Sequence, residues 1–159
     1  MSYFLFGFLD LDDGPMEATA LARVRVLAEH SAGTAGFCAK LSDPAEQSLL
    51  GKMRGPYSPE NSLPFFLTKT PVEDTSESLL APSPNGIRDS VPSVVAVGDW
   101  ISGIFAAKQG VKRVRIWFAD GFDVDFEQHT SSADQLARIY ERRLLEAKDI
   151  PAMLFTIHS

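Results

Sequence analysis

The chain has almost no cysteine, and this scarcity excludes two common ways of holding a small protein together. Cys38 is the single cysteine among 159 residues, so no disulfide can form within the chain and a thiolate zinc site is implausible. None of the three histidines (His30, His129 and His158) has a second ligand at metal-binding spacing. A chain of this length can bury a substantial core unaided. We therefore expect one domain over residues 1–159 with no cofactor.

Long apolar runs and an excess of basic residues are also missing. The apolar segment at residues 3–11 is too short to span a bilayer, and no lysine or arginine precedes it as in a signal peptide. Fifteen Lys and Arg stand against 21 Asp and Glu, which gives a formal charge of −6. This charge repels nucleic acid and attracts basic proteins. We expect a cytoplasmic protein without membrane or nucleic-acid partners.

Strand and helix patterns alternate along the chain. Nearly continuous apolar residues at 3–11 predict an interior strand covered on both faces. Residues 70–92 are rich in proline and predict a long irregular connection. Residues 92–109 have two interpretations: a strand at 93–97 followed by a helix capped by Asp99, or one longer helix over 92–109. Cap residues and apolar spacing predict further helices at about 15–30, 43–55 and 132–148, and further strands at 36–41, 63–69 and 152–157.

These elements together predict the fold class. With the strand-plus-helix interpretation, the order from Ser93 onward is β-α-β-β-α-β, as in ferredoxin-like folds. The amino-terminal half adds roughly β-α-β-α-β. We therefore expect a single α+β domain in which helices pack against a mixed, largely antiparallel sheet.

Residues 111–128 have the most regular alternation in the chain and predict a β-hairpin. A three-residue loop over 119–121 gives Gly121 the positive φ of a type I turn with a G1 bulge. It gathers apolar side chains on one face (Val114, Ile116, Phe118, Phe122, Val124 and Phe126). The other face then carries Arg113, Arg115 and Trp117 opposite Glu127, Asp125 and Asp123.

The polar face of this hairpin suggests a binding surface. Tryptophan and arginine often anchor protein interfaces, so an exposed Trp117 beside Arg113 and Arg115 would be a contact site. A Trp117 covered by a neighbouring loop is the alternative. The carboxylates of Asp123, Asp125 and Glu127, or those of the loop at residues 73–77, are the candidate contacts for a basic partner.

We therefore expect a non-enzymatic binding protein, with a small acidic inhibitor of a basic protein as its sharpest form. In size and charge, though not in sequence, such a protein is similar to bacterial immunity proteins, in which acidity steers association with the toxin. A homodimer that pairs through its hairpin or a sheet edge is a further possibility.

Two short motifs carry an alternative. The segment Asp10-Leu11-Asp12 closes an apolar strand, and Gly98-Asp99 lies far downstream. Together they resemble the first and fourth motifs of haloacid-dehalogenase-type phosphohydrolases, although Gly103 stands where that family commonly has a second acidic residue. The resemblance implies Asp10 as nucleophile, Asp12 as acid/base and Asp99 as a ligand of Mg²⁺ together with them.

Overall fold

The computed structural model describes residues 3–12, 18–41, 62–69, 93–120, 126–147 and 152–159. A short 3₁₀ helix, Ala133–Gln135, leads directly into the last α-helix of the described residues. The described strands are β1 (Tyr3–Leu11), β2 (Cys38–Leu41), β3 (Ser62–Thr68), β4 (Val111–Asp120), β5 (Glu127–Ser131) and β6 (Met153–His158). The described α-helices are α1 (Ala18–Ala35), α2 (Val94–Ala106) and α3 (Leu136–Glu146).

The six described strands form one mixed sheet in the order β2-β3-β1-β4-β6-β5. Every neighbouring pair is antiparallel except β5 and β6, which are parallel and are joined through α3. The predicted α+β class with a mixed, largely antiparallel sheet is therefore confirmed. The ferredoxin-like order is not confirmed, because the described elements from Ser93 onward run α-β-β-α-β.

The three helices pack on one face of the sheet, which we call the helix-covered face. Val114, Ile116 and Phe118 of β4 point to this face and are fully buried. Trp100 of α2 packs there, and its Nε1 donates to the carbonyl oxygen of Ala28 in α1 at 2.9 Å. No described helix is both long enough and apolar enough to cross a membrane.

The prediction for β1 is confirmed. Pairing with β3 on one side and β4 on the other gives this strand an interior position. Its side chains from Leu5 to Leu11, apart from Gly7, are almost entirely buried whichever face they point to. A run of apolar residues without alternation therefore reports burial on both sides of the sheet.

Residues 93–97 form no strand, and the single-helix interpretation is the one observed. Ser93 is the N-cap of α2, and its Oγ accepts a hydrogen bond from the backbone N–H of Ala96 at 3.1 Å. Asp99 is therefore not a cap but an exposed residue inside the helix. The apolar run of this segment packs against α1, α3 and the sheet, which is why it resembled a buried strand.

The hairpin predicted at 111–128 is wrong. β4 pairs with β1 on one side and β6 on the other, which leaves it no free edge for the next strand. β5 begins at Glu127 and pairs with β6 instead. The two-face alternation of β4 was predicted correctly, but its partners come from distant parts of the sequence. Of the predicted turn, Ala119 and Asp120 continue β4 and pair with β1, whereas Gly121, Asp123 and Asp125 lie outside the described residues.

Other predictions fall wholly or partly outside the described residues. They include the helix at 43–55 and the irregular connection at 70–92. Helix α1 is described from Ala18 and continues to Ala35, one turn beyond its predicted end, before Gly36 adopts a positive φ of 91°. That the whole chain forms one domain stays a prediction.

Two glycines allow a matched test of this packing. An added Cβ at Gly7 in β1 would collide with the backbone carbonyl oxygen of Arg115, whereas Gly103 in α2 has open space around it. We expect Gly7→Ala to lower the free energy of unfolding by about 1–3 kcal/mol through overpacking. We expect Gly103→Ala to raise it by about 0.5–1 kcal/mol through helix propensity. Urea unfolding of both variants measures the two effects, and a tolerated Gly7→Ala would contradict the β1–β4 contact.

Candidate functional site

A buried carboxylate lies at the centre of the sheet on the face opposite the helices. Asp10 of β1 is only 2% exposed and accepts four hydrogen bonds. Its Oδ1 accepts from Ser62 Oγ at 2.7 Å and from Arg115 Nη2 at 2.8 Å. Its Oδ2 accepts from Arg115 Nε at 2.6 Å and from Arg113 Nε at 2.8 Å. We call these four residues the arginine–carboxylate cluster.

Strand register brings this cluster together. Asp10 pairs with Arg113 of β4 and with Ser62 of β3, so the three residues point to the same face. Arg115 lies two residues from Arg113, and the period of a strand returns its side chain to that face as well. Three adjacent strands are thus joined through one side chain, with the fork of Arg115 bound to both oxygens of the carboxylate.

An aromatic group continues this face beside the cluster. Phe6 and Phe8 of β1 surround Trp117 of β4, with Phe6 stacked on its ring at 5.5 Å and Phe8 edge-on at 5.7 Å. The guanidinium carbon of Arg115 lies 4.9 Å from the ring centroid of Phe8 and 6.0 Å from that of Trp117. We call this side of the sheet the aromatic face. Its rings keep water from Arg115 and add cation–π attraction.

Trp117 is therefore covered, with 1% of its surface exposed. The covered alternative of the sequence analysis is the one observed, and Trp117 gives no exposed anchor for a protein partner. Its Nε1 is buried and has no hydrogen-bond acceptor among the residues that the structure describes. An unpaired buried donor is uncommon and costs free energy, and this one belongs to a ring that lies beside Arg115.

The charges of the cluster do not balance. Two guanidinium groups face a single carboxylate, and Asp10 already uses both of its oxygens twice. Arg115 is 6% exposed, whereas the side chain of Arg113 is 34% exposed. The excess positive charge is therefore accessible from solvent at the Arg113 end of the aromatic face.

Glu127 belongs to a second ion-pair group on the helix-covered side. Both of its oxygens accept from Arg143 of α3, at 2.7 and 2.6 Å, and Oε1 also contacts His129 Nε2 at 2.9 Å. The hydrogen bonds from Arg143, followed by that of His129, lower the pKa of Glu127 from 4.5 to about 2 against the opposing effect of burial. Glu127 ties α3 to β5 and does not lie opposite Arg113, as the hairpin had implied.

The carboxylates of the proposed magnesium site are not brought together. Asp10 is bound by arginines, Asp12 is exposed at the end of β1, and Asp99 is exposed within α2. Within the described ranges, no three His, Cys, Asp or Glu side chains are grouped as metal ligands. Asp10 also lacks the free lone pair that a nucleophile needs, because both of its oxygens are occupied.

Sequence analysis missed Ser62 and Arg143, and it gave Asp10 the wrong partners. The pairs Ser62–Asp10 and Arg115–Asp10 are separated by 52 and 105 residues, so no local pattern connects them. One signal was present. A carboxylate within the apolar strand Tyr3–Leu11 requires a buried cation, and two arginines alternate with apolar residues in β4.

No protein-family model, curated protein or solved structure matches this chain. The candidate site therefore rests on the geometry of its own residues.

Removing the carboxylate tests the central role of the cluster. We expect Asp10→Asn to lower the free energy of unfolding by about 3–5 kcal/mol, because two arginines lose their counter-charge in a buried site. Asp99→Asn, at an exposed helix position, is the matched control and should change it by no more than about 0.5 kcal/mol. Chemical denaturation measures the free energy of unfolding of both variants. Equal values for Asp10→Asn and Asp99→Asn would refute the buried ion pair. Combining Asp10→Asn with Arg115→Met should cost less than the sum of the single changes.

The second ion-pair group predicts a specific acid sensitivity. Because the pKa of Glu127 is lowered, its stabilising contribution is full above about pH 4.5 and is lost as the pH falls towards 2. Glu127→Gln should therefore weaken the fall in stability over this window. Unfolding curves at pH 7, 4.5 and 3 provide the measurement, with Glu141→Gln at an exposed site of α3 as the control. If both variants retain the wild-type pH dependence, Glu127 is not responsible for it.

Proposed function

We propose that this chain is a non-enzymatic binding protein that recognises a basic protein partner. The supporting observation is the net charge of the chain. The sequence has 21 Asp and Glu against 15 Lys and Arg, which gives a formal charge of −6. A protein with this excess of negative charge attracts basic partners.

Two of the described acidic residues are paired inside the fold. Asp10 and Glu127 are bound by arginines, so their charges are neutralised within the fold. Further acidic residues are clustered in the sequence at residues 73–77 and at Asp123 and Asp125. Clustered negative charge suits electrostatic steering towards a cationic surface. Glu127 is no longer a contact candidate, because Arg143 occupies both of its oxygens.

The geometry of Asp10 favours binding over the phosphohydrolase alternative. A nucleophilic carboxylate must approach phosphorus with a free oxygen, and both oxygens of Asp10 accept two hydrogen bonds each. Freeing Oδ2 would break the hydrogen bonds from Arg113 Nε and Arg115 Nε, and freeing Oδ1 would break those from Ser62 Oγ and Arg115 Nη2. The carboxylate is therefore better suited to holding strands together than to attacking a phosphoryl group.

In this proposal the chain acts in the cytoplasm and covers a positively charged surface of its partner, as bacterial immunity proteins do. Nucleic acid is not a partner in this proposal, since the net charge repels a polyanion. A homodimer is the competing assembly, and sedimentation of the purified chain distinguishes it: a monomer agrees with the proposal, whereas self-association that persists at the working concentration contradicts it.

The test is affinity capture from the native host followed by rate measurements on the purified partner. We expect the partner to be basic, and its association rate to fall at least about tenfold between 20 and 300 mM NaCl. The variant Asp123→Asn with Asp125→Asn should slow association at low salt. The matched control, Asp134→Asn with Glu141→Gln, changes the net charge by the same amount in the 3₁₀ helix and α3. It should retain the wild-type association rate. A neutral or acidic partner, or equal rates for the two variants, would overturn the proposal.

A further inference from the structure

The arginine–carboxylate cluster has more hydrogen-bond donors than its carboxylate can use. Asp10 offers about four lone pairs, and all four are taken. Arg115 uses Nε and Nη2 for Asp10, and Arg113 uses Nε alone. Among the described residues, no acceptor contacts Arg115 Nη1 or the two terminal nitrogens of Arg113. The cluster therefore retains three guanidinium nitrogens without a described acceptor and one unit of positive charge.

The surroundings of these donors strengthen their attraction for an anion. Arg115 is held between Asp10 and the rings of Phe8 and Trp117, in a setting from which water is largely absent. Electrostatic attraction is stronger in such a setting than in water. The buried Nε1 of Trp117 adds a donor without an acceptor on the same face. The side chain of Arg113 is one third exposed, so an anion in solvent can reach the cluster at this residue.

The neighbouring strand contributes further polar groups to this end of the aromatic face. In the β4–β6 ladder, Thr156 pairs with Arg115 and His158 pairs with Arg113, so their side chains point to the same face as the arginines. Thr156 is half-buried and His158 is exposed. Apart from Asp10, the paired positions of β3, β1, β4 and β6 around the arginines hold no described acidic side chain. Among these paired positions Asp10 is the single described carboxylate, and Asp12 is exposed just beyond the end of β1.

We propose that Arg113 and Arg115 form a binding site for a small oxyanion, a carboxylate or phosphate group, at the solvent-accessible end of the aromatic face. A guanidinium fork matches two oxygens of such a group, and the second anion balances the charge that Asp10 leaves uncompensated. This site goes beyond the proposed binding of a basic protein, because its ligand is a small anion and its residues belong to the folded sheet.

Thermal unfolding with inorganic phosphate or acetate, at ionic strength matched with NaCl, tests the site. We expect the melting temperature of the wild type to rise by about 5 °C at one hundred times the dissociation constant. Arg113→Gln should abolish the rise, while Arg115 still binds Asp10. Arg142→Gln removes an arginine whose side chain is 62% exposed on α3 and should leave the rise unchanged. A rise with phosphate alone assigns a phosphate ligand, and a rise with acetate alone assigns a carboxylate.

A second measurement needs no variant. The two indole N–H groups give separate NMR signals: Trp100 Nε1 donates to Ala28, whereas Trp117 Nε1 has no described acceptor and its ring lies beside Arg115. Anion addition should shift the Trp117 signal with saturation and leave that of Trp100 in place. The proposal is overturned if neither anion raises the melting temperature beyond NaCl, if Arg113→Gln and Arg142→Gln respond alike, or if the Trp117 signal does not move.

Discussion

The bidentate contact between Arg115 and Asp10 sets the alignment of the strands on which the sheet is built. Both groups are buried, and a buried charge without its partner is strongly destabilising. A slip of one residue between β1 and β4 would turn one of the two side chains to the helix-covered face, among apolar residues. The cluster thus penalises every neighbouring register, while apolar contacts on both faces supply the cohesion. Ser62 extends this constraint to β3.

The two faces of the sheet are buried in different ways. On the helix-covered face, aliphatic and aromatic side chains from three helices meet the sheet in one continuous core. On the aromatic face, Phe6, Phe8 and Trp117 form a smaller group beside the charged cluster. Among the described residues, the first arrangement contains most of the buried apolar side chains. The second combines a low-dielectric setting with ionised groups, and this combination makes it the chemically distinctive part of the molecule.

Local patterns in the sequence predicted where the strands and helices lie better than they predicted which strands pair in the sheet. β1 and β6 were predicted because their side-chain patterns report burial directly, and the position of α3 followed from the spacing of its apolar residues. The alternation of β4 correctly separated Arg113, Arg115 and Trp117 from Val114, Ile116 and Phe118. It could not identify the partner strand, because alternation is compatible with any neighbour that offers a counter-charge. That counter-charge is Asp10, about one hundred residues away, and the nearby Asp125 only resembled it.

The position of β6 between β4 and β5 has a consequence for folding. β4 and β5 follow each other in sequence, yet they are separated in the sheet by a strand that comes after both. β4 therefore gains its final partners only when β1, far upstream, and β6, downstream, have both reached it. Pairing over such sequence separations is slow, because the chain must close long loops before the contacts stabilise it.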